Sequence, residues 1–123
     1  AFLNVKWDIF DGFERVEKLR RRRAEEQAAR EELESSRLEA TRDVWTAYHD
    51  TLSAARRVDY AQGLVVSAQE NWNAMRAAYQ NGLSPIADLA EAAGQLAEAR
   101  STRATAIAEY STDLASLALA VGQ

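Results

Sequence analysis

Tyr79-Gln80-Asn81-Gly82-Leu83-Ser84-Pro85-Ile86 is the one interior stretch of this chain where helix-breaking residues cluster. Asn81-Gly82 stops a helix, because glycine takes the left-handed C′ conformation at little cost. Ser84 is expected to cap the next helix and Pro85 to occupy its first position, where a missing N–H is harmless. The stretch reads as a sharp turn between two helices.

Upstream of the turn no proline occurs back to Phe13. A heptad frame runs through Val16, Leu19, Leu33, Ala40, Val44, Ala47, Ala54, Val58, Ala61, Val65, Ala68, Trp72, Met75 and Tyr79. Spacings of seven, split into three and four, mark a coiled-coil seam. Arg23, Glu26 and Arg30 interrupt it, and a second stripe of Leu38, Trp45, Tyr48, Leu52 and Ala55 lies beside it. A helix with two adjacent stripes touches neighbours on two sides. Downstream, Ile86, Leu89, Ala93, Leu96, Ile107, Tyr110, Leu114, Leu117 and Val121 form a second frame, with Arg100 and Arg103 at two of its positions and Gly122 at its end.

Folding the frames about the turn sets Met75 against Leu89, Trp72 against Ala93, Ala68 against Leu96, Ala54 against Tyr110 and Val44 against Val121. Large faces small in several pairs, as interdigitating layers require. Gly94 beside Trp72 is expected to admit the indole, and Val65 opposite Arg100 is the misfit. At about 1.5 Å per residue the first helix is roughly twice the length of the second. Residues from about Phe13 to Asp43 then lack a partner within the chain, and isolated helix depends on packing.

The first ten residues follow another rule. Leu3, Val5, Trp7 and Ile9 alternate with polar Asn4, Lys6 and Asp8, the period of a strand with one apolar face. A lone strand needs a partner for its backbone groups. Asp11 with Glu14 then reads as a capping box. The fold class expected is all-α: a long antiparallel, coiled-coil-like helical hairpin preceded by one short β-strand. The boundaries are a strand over 1–10 and a hairpin over 11–123, with a long helix 12–81, a tip turn 81–85 and a second helix 85–121.

Composition agrees. The chain has 123 residues, one proline, five glycines, no cysteine and a net charge of −4. That mixture with helical periodicity marks long helices, and disulfide and thiolate chemistry are excluded. Charge of both signs is interspersed, so no strong field points to nucleic acid. No apolar run is long enough for a transmembrane helix. The absence of a leader before Ala1 fits an excised or processed piece.

These motifs resemble the TolC-like outer membrane factors of Gram-negative efflux and secretion systems. Ile9-Phe10-Asp11-Gly12 is similar to that family's strand-to-helix junction, Ala47-Tyr48 with Leu52 to its mid-helix motif, and Tyr79 to Ser84 with Asp88-Leu89 to its hairpin turn. Tyr110, Leu114, Leu117 and Gly122 resemble its closing pattern. The likeness covers nearly the whole chain but only the C-terminal portion of the second repeat of a family member. It implies a trimeric β-barrel in the outer membrane continued by an α-helical barrel in the periplasm, with residues 1–10 as the last barrel strand. It further implies a passive conduit for efflux or type I secretion, a homotrimer in outer membrane lipid that docks to a periplasmic adaptor protein and an inner-membrane transporter.

By the same resemblance, Asn81, Gly82, Leu83 and Ser84 form the adaptor-docking tip, and Tyr79, Asp88 and Glu91 the entrance gate and selectivity positions. Ser84 stands where the family's gate has a basic residue, and Ala93 where glutamine is common. The competing reading is a soluble structural or adaptor coiled coil without a pore. A further repeat and a further alternating strand encoded before Ala1 would decide for the channel.

The remaining signals read as ordinary helix surface. Arg20–Arg23, with Arg15 and Lys18, suits nucleic acid or an anionic membrane, but Glu17, Glu25, Glu26, Glu31 and Glu32 alternate with it in blocks, which favours a solvated face. Trp45, Trp72 and Tyr48 stand at the spacing of packing residues rather than of a binding platform. His49 has no ligand partners at metal spacing. No nucleophile–base pair, phosphate loop or paired buried acid is present, so no catalytic residue, cofactor or metal is expected.

Overall fold

The computed structural model of the chain describes residues 11–122. The strand expected over residues 1–10 lies outside the described residues, as does the Asp11 side chain of the expected capping box. Two helices make up the described chain: α1, Asp11–Gln80, with 70 residues, and α2, Ile86–Val121, with 36 residues. The contacts divide the chain into two units, residues 1–41 and residues 42–123.

In the first unit every residue from Gly12 to Thr41 is exposed, including Phe13, Leu19, Leu33 and Leu38. Support is local. Arg30 Nη2 lies 2.6 Å from Glu26 Oε1, Gln27 Nε2 donates to Glu31 Oε1 at 3.4 Å, and the Thr41 hydroxyl to the Arg37 carbonyl at 2.8 Å. Exposed pairs four residues apart contribute only about 0.5 kcal/mol each. The apolar side chains of this unit stay in water within the single chain.

The second unit is an antiparallel hairpin. Its turn is a Schellman motif: Leu83 N–H donates to Ala78 O at 2.9 Å, Gly82 N–H to Tyr79 O at 3.0 Å, and Gly82 has φ +70°. Helix α2 starts one residue later than expected. Pro85, extended at φ −69° and ψ 157°, is the cap residue rather than the first helical one, and no side chain caps the N-terminus. Ser84 does not serve as the cap: its hydroxyl donates to Asp88 Oδ2 at 2.9 Å. At the far end Gly122, φ 90°, closes α2 as expected.

The α1 side of the seam follows the expected frame: Ala54 and Ala61 are buried, and Val44, Ala47, Val58, Val65, Ala68, Trp72 and Met75 are half-buried. Thr51, absent from that frame, is also buried. On α2 half of the frame is displaced by one residue. Ala92, Ala99 and Ala106 are buried, with Asp113 and Ala120 half-buried, whereas Ala93, Arg100, Ile107, Leu114 and Val121 are exposed. Leu89, Leu96, Tyr110 and Leu117 keep their places. The physical reason is size: facing alanines let the helices close and exclude water from their own methyl groups, which Ile107 or Leu114 at the same height would prevent.

Two expected details fall with that displacement. Arg100 does not face Val65; it lies outside the seam and donates from Nη2 to Gln69 Oε1 at 3.0 Å. Gly94 is exposed, and a Cβ there would meet nothing within 4 Å, so it makes no room for the Trp72 indole. Trp72 instead has the Arg76 guanidinium 5.3 Å from its ring centroid. The register of the hairpin itself is the expected one, held by Asn71 to Gln95 at 3.3 Å, Arg103 to Gln62 at 3.1 Å and Thr51 to the Asp113 carbonyl at 3.2 Å.

Candidate functional site

In an antiparallel pair, residues just before each seam position of both helices share one side, and those just after share the other. The cross-links assign the sides here. Asn71 bonds Gln95, and Arg57 lies 3.4 Å from Glu109, on the first side; Arg100 bonds Gln69 on the second.

The first side of α2 is polar along almost its whole length. Asp88, Glu91, Gln95, Glu98, Thr102, Thr105, Glu109, Thr112 and Ser116 follow one another there, all exposed. On α1 the same side carries Asp43, Thr46, Asp50, Ser53, Arg57, Ser67 and Asn71, also exposed, interrupted by the exposed Tyr60 and Leu64. Ser67, Asn71, Gln95, Glu98 and Thr102 line one groove along it, with Leu64, Ala68 and Ala99 as its apolar floor; Asp43, Thr46, Asp50 and Ser116 line another with Ala47 and Ala120. The second side is apolar away from the tip. Trp45, Tyr48 and Leu52 of α1 and Ile107, Leu114 and Val121 of α2 all belong to it, and none is less than 38% exposed. The hairpin is two-sided.

Asp88 and Glu91 stand at the tip end of the polar side. Asp88 accepts the Ser84 hydroxyl, while Glu91 Oε1 accepts Gln95 Nε2 at 3.4 Å, and Gln95 in turn accepts Asn71 Nδ2. One acid is thus tied to the turn and the other to α1. Both carboxylates remain exposed and keep acceptor capacity for ions or water. Asp88 also lies in the first turn of α2, where the helix dipole favours negative charge. Tyr79 is in the last turn of α1, 43% exposed, and among the described residues no hydrogen bond joins it to either acid.

The tip residues present a different chemistry. Asn81 is folded inward, its Nδ2 donating to the Ala77 carbonyl at 2.8 Å. Leu83 follows the Schellman glycine, where an apolar side chain usually packs back on the helix. Here it is 81% exposed. The turn therefore offers one free leucine above a rigid, hydrogen-bonded backbone.

Residues outside the sequence-derived site complete it. Gln95 and Asn71 carry the link between the acidic end and α1, and their shared signal was spacing: each precedes a seam residue, as Asp88 does. Trp45 and Tyr48 lie outside the hairpin core rather than in it, and the His49 ring is tilted against Trp45 with centroids 3.9 Å apart and edge-on to Tyr48 at 5.7 Å.

The model of one protein family, described as Outer membrane efflux protein, matches residues 1–123. No curated protein and no solved structure matches the chain. A match over the full sequence means that the chain belongs to the outer membrane efflux protein family, whose members are transport channels of the Gram-negative outer membrane and not enzymes.

Proposed function

We propose that this chain is the strand–hairpin part of a trimeric channel, with residues 1–10 as the last strand of a β-barrel in the outer membrane and the hairpin as part of an α-helical wall in the periplasm. The observation that carries this reading is the division of the hairpin into a polar and an apolar side. A channel wall needs a hydrated face towards its lumen and an apolar face that other protein covers. The row from Asp88 to Ser116 supplies the first; Trp45, Leu52, Ile107 and Leu114 supply the second.

Transport is passive, with energy supplied by the inner-membrane transporter. Asn81, Gly82, Leu83 and Ser84 form the tip that docks on the periplasmic adaptor, with exposed Leu83 as its apolar contact. Tyr79, Asp88 and Glu91 line the entrance, where rings of acids across three subunits favour cations. Ser84, bound to Asp88, stands where the family's gate has a basic residue, so this position supplies no ion pair to hold the entrance shut. The full-length precursor tests the reading. It is expected to form trimers and conduct in planar bilayers, and a precursor that does neither refutes it.

A further inference from the structure

We infer that the groove running from Leu64 to Glu98 on the polar side of the hairpin binds aromatic organic cations. The inference rests on the proposed placing of that side towards the lumen, and it names a class of molecule for the wall to hold there.

The polar side is broken at one place, where Tyr60 and Leu64, one turn apart, are 72% and 38% exposed. Leu64 is not an isolated surface leucine. With Ala68 and Ala99 it floors a groove of about 500 Å³, inside the range of roughly 300–1,000 Å³ common for small-molecule sites. Among the described residues that line it, Glu98 alone is charged. The bond between Asn71 and Gln95 sets Glu98 level with Ala68, so Glu98 and Leu64 lie about 6 Å apart along the axis. Tyr60 extends the apolar end by one further turn.

The Glu98 carboxylate is uncommitted. The polar groups around it are engaged elsewhere: the Thr102 hydroxyl donates to the Glu98 main-chain carbonyl at 3.0 Å, Asn71 to Gln95, and Gln95 to Glu91. Among the described residues no cation lies within 4.0 Å of it. Arg57 lies against Glu109 and Asp113, Arg100 donates to Gln69, and Arg103 donates to Gln62. The groove therefore has an apolar end and an anionic end.

These two ends select the ligand. A metal ion needs several oxygen ligands, which one carboxylate does not supply. An anion is repelled, and a neutral apolar molecule leaves the acid without a counter-charge. A flat aromatic body with a cationic nitrogen satisfies both: its rings cover Leu64 and reach Tyr60, and its charge meets Glu98. One exposed ion contact and one leucine give weak binding, which suits a wall that must also release what it holds.

The test uses the full-length protein in phosphatidylcholine nanodiscs, with ethidium as the probe and fluorescence anisotropy as the readout. Ethidium is expected to bind above the level of empty nanodiscs, to resist displacement by tetramethylammonium, and to bind more weakly as salt rises. Fluorescein, an anion of similar size, is expected to stay free. Glu98→Gln is expected to weaken ethidium binding about threefold, the scale of an exposed ion contact, and Leu64→Ser about fivefold. Glu70→Gln removes the same charge from outside the groove and is expected to leave the affinity unchanged. Conducting trimers that bind ethidium no better than empty nanodiscs, or bind fluorescein equally, overturn the site and leave the channel reading standing. So does affinity that survives both Glu98→Gln and Leu64→Ser, or falls equally with Glu70→Gln. Loss of the trimer in Leu64→Ser assigns that leucine to a neighbouring helix and overturns the site as well. Wild-type protein that neither trimerises nor conducts overturns both readings.

Discussion

The hydroxyl of Thr51 lies 3.2 Å from the main-chain carbonyl oxygen of Asp113, joining α1 and α2 at a position the seam buries. The same hydroxyl lies 2.8 Å from the Ala47 carbonyl, so one proton is shared between a helical and a cross-helix acceptor. Valine has nearly the same shape but cannot donate. Thr51→Val is expected to lose about 1 kcal/mol, because the Ala47 and Asp113 carbonyls keep their helical partners and only the hydroxyl's shared bond to them goes. The urea midpoint of helix content measures it, and a midpoint at or above that of the parent contradicts the assigned bond.

Ala92 and Ala93 are neighbours with opposite surroundings, the first buried at 2% and the second exposed. Ala92→Leu is expected to cost about 1–3 kcal/mol by forcing the helices apart. Ala93→Leu falls within about 0.5 kcal/mol of the parent, as exposed substitutions do. If the order of the two midpoints is reversed, the seam follows the large aliphatic residues after all.

Gly82 and Gly94 separate two uses of glycine. Gly82 has φ +70°, so Gly82→Ala is expected to cost about 1–2 kcal/mol through the strain of a side chain in that region. Gly94 is helical and a Cβ there meets open space, so Gly94→Ala is expected to add about 0.5–1 kcal/mol. Thermal melts of the two variants should move in opposite directions.

At the entrance, Asp88→Asn with Glu91→Gln in the full-length channel is expected to weaken block by multivalent cations added on the periplasmic side, by about tenfold or more in the blocking concentration. Block unchanged in the double variant removes these acids from the conduction path. Ser84→Ala is a separate probe: it frees Asp88 from its hydroxyl partner without altering charge, and open probability rather than cation affinity should change.

Periodicity located the stripes to within one residue and no better. On α1 the gap between Ala47 and Ala54 hid Thr51, although the alternation of three and four residues required a seam position there. Polarity argued against it, and only the opposite carbonyl explains why it is tolerated. On α2 the larger side chains of Ile107, Leu114 and Val121 drew the frame one place too far, because hydropathy rewards bulk and takes no account of how closely two backbones approach. The acids Asp88 and Glu91 were singled out by resemblance; their bonds to Ser84 and Gln95 are local, and only the link from Gln95 to Asn71 needed the register of the pair.

Residue order alone settled the helical class, the bend at Asn81–Pro85 and the pairing of α1 with α2, since each follows from local chain preferences and the period of apolar residues. Packing chose what local rules left equal: alanines rather than aliphatics between the helices, and hence which side of the hairpin is polar and which apolar. A seven-residue repeat names a stripe on each helix, but only two surfaces in contact, each excluding water from the other, decide the rotation at which those stripes meet.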